Sequence, residues 1–127
     1  MKAPTHQAME LMARQALQTL PPELVPHMEG LVIRIEDFPD RATERDMGLQ
    51  SPYDLLGLYH GVSIDRKSLG DVVQDVDMVF LYRRPILAYW CDSGDDLEHI
   101  IRHVLIHEIG HHVGFSDEDM ERIEASG

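Results

Sequence analysis

With 127 residues and 43% apolar side chains, the chain is long enough to bury a core unaided, which excludes disorder and dependence on disulfide staples. Twenty-three Asp and Glu against 11 Lys and Arg leave a formal net charge of -12, which disfavours nucleic-acid backbones and anionic membrane surfaces as partners. A lone cysteine, Cys91, cannot form an internal disulfide and is expected to be a buried structural residue.

Thr5 is a plausible N-cap for an amphipathic helix over residues 5–20, in which Met9, Met12, Ala13, Ala16, Leu17 and Leu20 share one face. Pro21 and Pro22 end it. Met1 to Leu20 lacks the continuous apolar core of a signal peptide, and no stretch approaches the roughly 20 apolar residues of a membrane span, so the expected compartment is the cytoplasm. Leu31, Ile33 and Ile35 alternate with Val32 and Arg34 and predict a first strand. Pro39 to Pro52 is polar and reads as a long surface loop. Residues 55–64 predict a second strand, with Gly57 and Gly61 marking a bulge or a close backbone approach. Asp65 to Asp77 reads as a polar connection. Met78 to Tyr82 predicts a third strand, extended after a kink by Pro85 to Trp90 at a sheet edge.

Ser93 or Asp95 is expected to cap a helix from about Asp96 to Val113. Its apolar residues, from Leu97 and Ile100 to Ile109 and Val113, spread around most of the circumference, as in a buried helix. Gly114 ends it at the C′ position, and Ser116 with Asp119 forms a capping box for a last short helix. No linker divides the chain, so residues 1–127 are expected to form one α+β domain.

Residues 107–111 read His-Glu-Ile-Gly-His. On a helix, His107 and His111 lie roughly 40° apart about the axis, so both imidazoles can reach one ion. Glu108 is offset by about 100°, which lets its carboxylate reach water beside the ion instead of the ion itself. Zinc lowers the pKa of its water to about 7, and a nearby carboxylate can take the proton as that water attacks a carbonyl. Gly114 can adopt a positive φ and turn the chain sharply, returning Asp117 towards the histidine pair as a carboxylate ligand. The run thus fits H-E-x-x-H-x-x-G-x-x-D, with His107, His111 and Asp117 as metal ligands and Glu108 as general base. Asp117 has a plainer role open to it, at a helix N-terminus through the dipole, and Glu118, Asp119 and Glu121 are weaker substitutes as ligand. His99 and His103 extend the four-residue spacing upstream, and His103 with His107 could form a rival pair. Only His107–His111 carries both the Glu and the Gly turn, so His99 and His103 are expected at the surface or behind the ligands, and His112 in packing or hydrogen bonding.

The extended motif, with Leu55-Leu56-Gly57-Leu58-Tyr59-His60-Gly61 and Leu81-Tyr82-Arg83-Arg84-Pro85-Ile86, resembles the bacterial mini-zincins, minimal zincin-like metallopeptidases. The resemblance covers the chain from about residue 25 onward. It implies a compact α+β fold with a small sheet over the active-site helix, one zinc ion per chain on His107, His111 and Asp117, and Glu108 as base. The pattern also looks like that of metzincins, but Met120 lies too close to Asp117 to form their methionine turn. The function this implies is a zinc metallopeptidase acting on peptides. An extended substrate would add to an edge strand, residues 78–90 or 55–64, with Tyr59, His60 or Tyr82 as candidate oxyanion donors. A catalytically silent zinc-binding adaptor is the alternative. A metal-dependent ribonuclease would carry a third His where Asp117 stands.

Overall fold

The computed structural model describes residues 3–61 and 77–126. The first helix, α1 (His6–Leu17), starts where Thr5 Oγ1 accepts the Ala8 N–H at 3.0 Å, and buries Met9, Ala13 and Ala16. After a 3-10 turn (Val25–His27) the chain enters β1 (Val32–Glu36), where Ile33 points into the core and Val32 and Arg34 face solvent.

Residues 39–52, expected as a loop, contain a helix, α2 (Arg41–Met47). Asp40 caps it by accepting the Thr43 N–H at 2.7 Å, and Gly48 closes it at φ 65°. No residue of α2 is buried, so it has no apolar stripe for periodicity to reveal.

The second strand is shorter than expected, β2 (Gly57–His60); residues 62–64 and most of the 65–77 connection lie outside the described residues. The third, β3 (Met78–Tyr82), is central. It runs parallel to β1 (Val32↔Met78 to Glu36↔Tyr82) and antiparallel to β2 (Gly57↔Leu81 to His60↔Met78), giving a mixed sheet in the order β1-β3-β2. Among the described residues, the sheet edge beside the later helices is therefore β2. Gly57 marks a close approach, as expected: a Cβ there would sit 2.6 Å from Val104 Cγ1 and 3.0 Å from the Phe80 carbonyl oxygen. Backbone cannot yield as a side chain can, so Gly57→Ala is expected to destabilise the fold by about 1–3 kcal/mol. Urea unfolding measures this, and a loss under about 0.5 kcal/mol, the range of neutral surface changes, would contradict the tight packing.

Residues 85–90 do not extend β3. They belong to a helix, α3 (Arg83–Ser93), with Pro85 at its third position. There the missing N–H is one that no intrahelical carbonyl could have satisfied, so proline is tolerated. Pro85 and Ile86 are its buried residues. Cys91, expected in the interior, is exposed on the outer face of α3.

The long helix α4 (Leu97–His112) has Asp96 at its N-cap, not Ser93 or Asp95; Ser93 Oγ instead accepts the Asp95 N–H at 3.2 Å. It buries Leu97, Ile100, Ile101, Val104, Leu105, Ile106, Ile109 and Gly110 against α1, the sheet and the flanking helices. Gly114, at φ 90°, ends it: Phe115 N–H donates to the Gly110 carbonyl at 2.9 Å and Gly114 N–H to that of His111 at 3.2 Å, a Schellman turn. The last helix, α5 (Asp117–Ser126), opens with the expected capping box, Asp119 N–H to Ser116 Oγ at 3.1 Å and Ser116 N–H to Asp119 Oδ2 at 3.2 Å. Met120 and Ile123 bury α5 against α4. The fold is α+β, consistent with a zincin-like fold.

Candidate metal centre

Two features of α4 place the donors. Its pitch sets His107 and His111 on one face, with ring centroids 5.8 Å apart and planes at 87°. The Schellman turn then sends the chain back, so that Asp117, the first residue of α5, puts Oδ1 3.1 Å from His111 Nε2. The ligand atoms of His107, His111 and Asp117 all lie within 4.8 Å of one another. Four ligands about 2.1 Å from a tetrahedral zinc are about 3.4 Å apart, so the observed spacing and the two-imidazole, one-carboxylate donor set both fit that ion. Burial, followed by the neighbouring His103, lowers the pKa of His107, which keeps its imidazole neutral and its lone pair free at pH 7. His111 and Asp117 are exposed, so the group opens to solvent.

Glu108 leaves the helix on a different side. Its Oε1 accepts the Tyr59 backbone N–H at 3.2 Å. Tyr82 N–H donates to the Leu56 carbonyl, so ladder alternation turns the backbone groups of Leu58 and His60 towards β3 and those of Gly57, Tyr59 and Gly61 outward. Glu108 is thus fixed on the side of β2 turned away from β3. Burial raises its pKa, against the Tyr59 N–H and the nearby His111, so it is more basic than an ordinary carboxylate. His112, facing away from the metal group, stacks on the Tyr59 ring at 3.9 Å with planes 13° apart. Gly61 leaves room for that stack, since a Cβ would meet His112 Cε1 at 2.6 Å.

Residues 28–126 match the family described as zincin-like metallopeptidases. The chain belongs to this family. No curated protein matches it. The match takes in β1 to α5, and with them His107, Glu108, His111 and Asp117, while α1 lies before it. Zinc binding is the chemistry the family implies, and the donor set is suited to it.

Of the three hydroxyl or imidazole donors expected near the site, Tyr59 touches Glu108 through its backbone N–H. Its hydroxyl is pushed up to about 12, by burial first and then by Asp77, and stays protonated. Tyr82, also at about 12 through burial and the charges of Asp40, Glu36 and Glu108, lines a cavity of about 670 Å³ between α2 and the sheet, as does His60. None of the metal-centre residues lines that cavity. His99 is exposed, as expected. Asp119, weighed as a substitute ligand, is engaged in capping α5. One acid was missed: Glu124 of α5 reaches across to His103, and no local spacing signals it. No helix among the described residues is long and apolar enough to cross a membrane.

Proposed function

We propose that this zincin-like protein is a zinc-dependent peptidase, with one zinc ion per chain held by His107, His111 and Asp117 and with Glu108 as general base. The observation that carries the reading is the position of Glu108: one residue from a ligand histidine, and hydrogen-bonded to the strand edge where a peptide would dock. When bound, the ion supplies a Lewis acid that acidifies water and polarises a carbonyl. Glu108 takes the proton from the water as its oxygen attacks the scissile carbonyl carbon, and delivers it to the amine as the C–N bond breaks. The Tyr59 N–H holds one carboxylate oxygen and leaves the other for that transfer.

The outward carbonyls of Gly57 and Tyr59 and the outward N–H of Gly61 offer main-chain pairing to an extended peptide, largely without regard to its sequence. The net charge of -12 favours neutral or basic peptides over acidic ones. An adaptor that merely held zinc would have no use for a half-buried carboxylate at position 108. The test is a mixed peptide library incubated with zinc-loaded protein and read by mass spectrometry. The expected result is cleavage that a chelator stops and added zinc restores. No cleavage across the library, or cleavage indifferent to verified zinc removal, sinks the peptidase reading.

A further inference from the structure

One helical turn before the centre just described, α4 and α5 bring a second set of donors together. His103 precedes His107 by four residues, and their rings stand 4.1 Å apart, tilted by 35°. Glu124 reaches into the same space from α5, with Oε1 2.6 Å from His103 Nδ1 and 3.7 Å from His107 Nε2. The ligand atoms of these three residues also lie within 4.8 Å of one another.

An ion pair between His103 and Glu124, tying α5 to α4, explains part of this arrangement and leaves two facts over. Glu124 Oε1 is buried, and among the described residues it accepts no hydrogen bond of acceptable geometry, despite the short contact to His103. A buried carboxylate oxygen normally accepts one. An ion pair also needs only one imidazole, yet a second converges on the same oxygen. The 3.7 Å from His107 Nε2 to Glu124 Oε1 is close to the roughly 3.4 Å edge of a tetrahedral zinc site, and the 2.6 Å contact to His103 would have to open by about 0.8 Å to admit an ion.

We propose that His103, His107 and Glu124 form a second site for a zinc-type divalent cation, and that His107, common to both sets, serves one of them at a time. The donor chemistry is the same in the two sets, two imidazoles and a carboxylate. The second lies about 6 Å back along the helix axis from the first, four residues at about 1.5 Å each. An ion there withdraws His107 from His111 and Asp117, so the second set is a holding position in which Glu108 has no metal to work beside. The inference rests on the metal chemistry of the proposed function and is independent of peptide hydrolysis.

The test removes the first set and asks whether metal stays. H111A/D117N changes two exposed residues and leaves the second set whole. The variant is expected to retain one zinc per chain by elemental analysis, and adding either H103Q or E124Q is expected to remove it. The affinity loss, read by competition with a chromophoric chelator, should exceed the roughly 10–100-fold that follows loss of an outer-shell partner, because a ligand itself is lost. Folding is checked by circular dichroism. A folded H111A/D117N without zinc, or one whose zinc is indifferent to H103Q and E124Q, overturns the second site. If the double variant does not fold, H111A with and without E124Q gives the same decision. Wild-type protein that binds no zinc sinks the proposed function instead, so the two failures are distinguishable.

Discussion

Replacing Glu108 with Gln is expected to leave the zinc content unchanged and to lower peptide cleavage by about 10²–10⁴-fold, the usual contribution of a general base. The amide keeps the size of the side chain, and its carbonyl oxygen can still accept the Tyr59 N–H, so the α4–β2 contact survives. Only the basicity goes. Burial has raised the pKa of Glu108, which makes the lost carboxylate a better base than an exposed one. Rates are compared at matched zinc content, because metal loss would mimic the effect. Equal cleavage by the two proteins would remove Glu108 from the mechanism and point to a contaminating peptidase.

His107→Ala is expected to abolish zinc retention altogether, a larger effect than any other single ligand change. His107 is the one residue present in both groups of converging donors, whereas His111→Ala spares the set that includes Glu124. Zinc should also stabilise the fold, because its ligands join α4 to α5. A ligand present at 100 times its dissociation constant adds about 2.7 kcal/mol. For a chain of this size, that corresponds to a fall of roughly 10 °C in Tm on chelation. His107→Ala should melt near the chelated wild type and respond to neither zinc nor chelator. An unchanged wild-type melt after verified zinc removal would show that the site and the fold are uncoupled.

Most of the geometry of the candidate centre could be read from the sequence because its signals are local. Helix pitch relates His107 to His111, Gly114 turns the chain, and the Ser116–Asp119 box fixes where α5 begins and so where Asp117 stands. What could not be read depends on distant partners or on missing apolar contrast. Helix α2 buries nothing, so only Asp40 and Gly48 announce it, and both are also ordinary loop residues. Pro85 reads as an edge-strand residue until Arg83 and Arg84 are seen to open a helix. Which strand is central depends on the pairing of Val32 with Met78, a contact that no local pattern encodes. Glu124 was overlooked for the same reason, since its partner His103 lies a helix away.

That division between near and far also bears on the order in which the molecule comes together. All the proposed zinc ligands lie within the hairpin of α4 and α5, whose closure spans a short loop and is therefore fast. The contact that holds Glu108 joins residues 49 positions apart, and it needs β2 in place on β3. On the proposed reading, metal capture would require only the helical hairpin, whereas Glu108 is positioned only once the sheet has closed. A nascent chain built this way would hold its ion before it could cut anything, its own neighbours included.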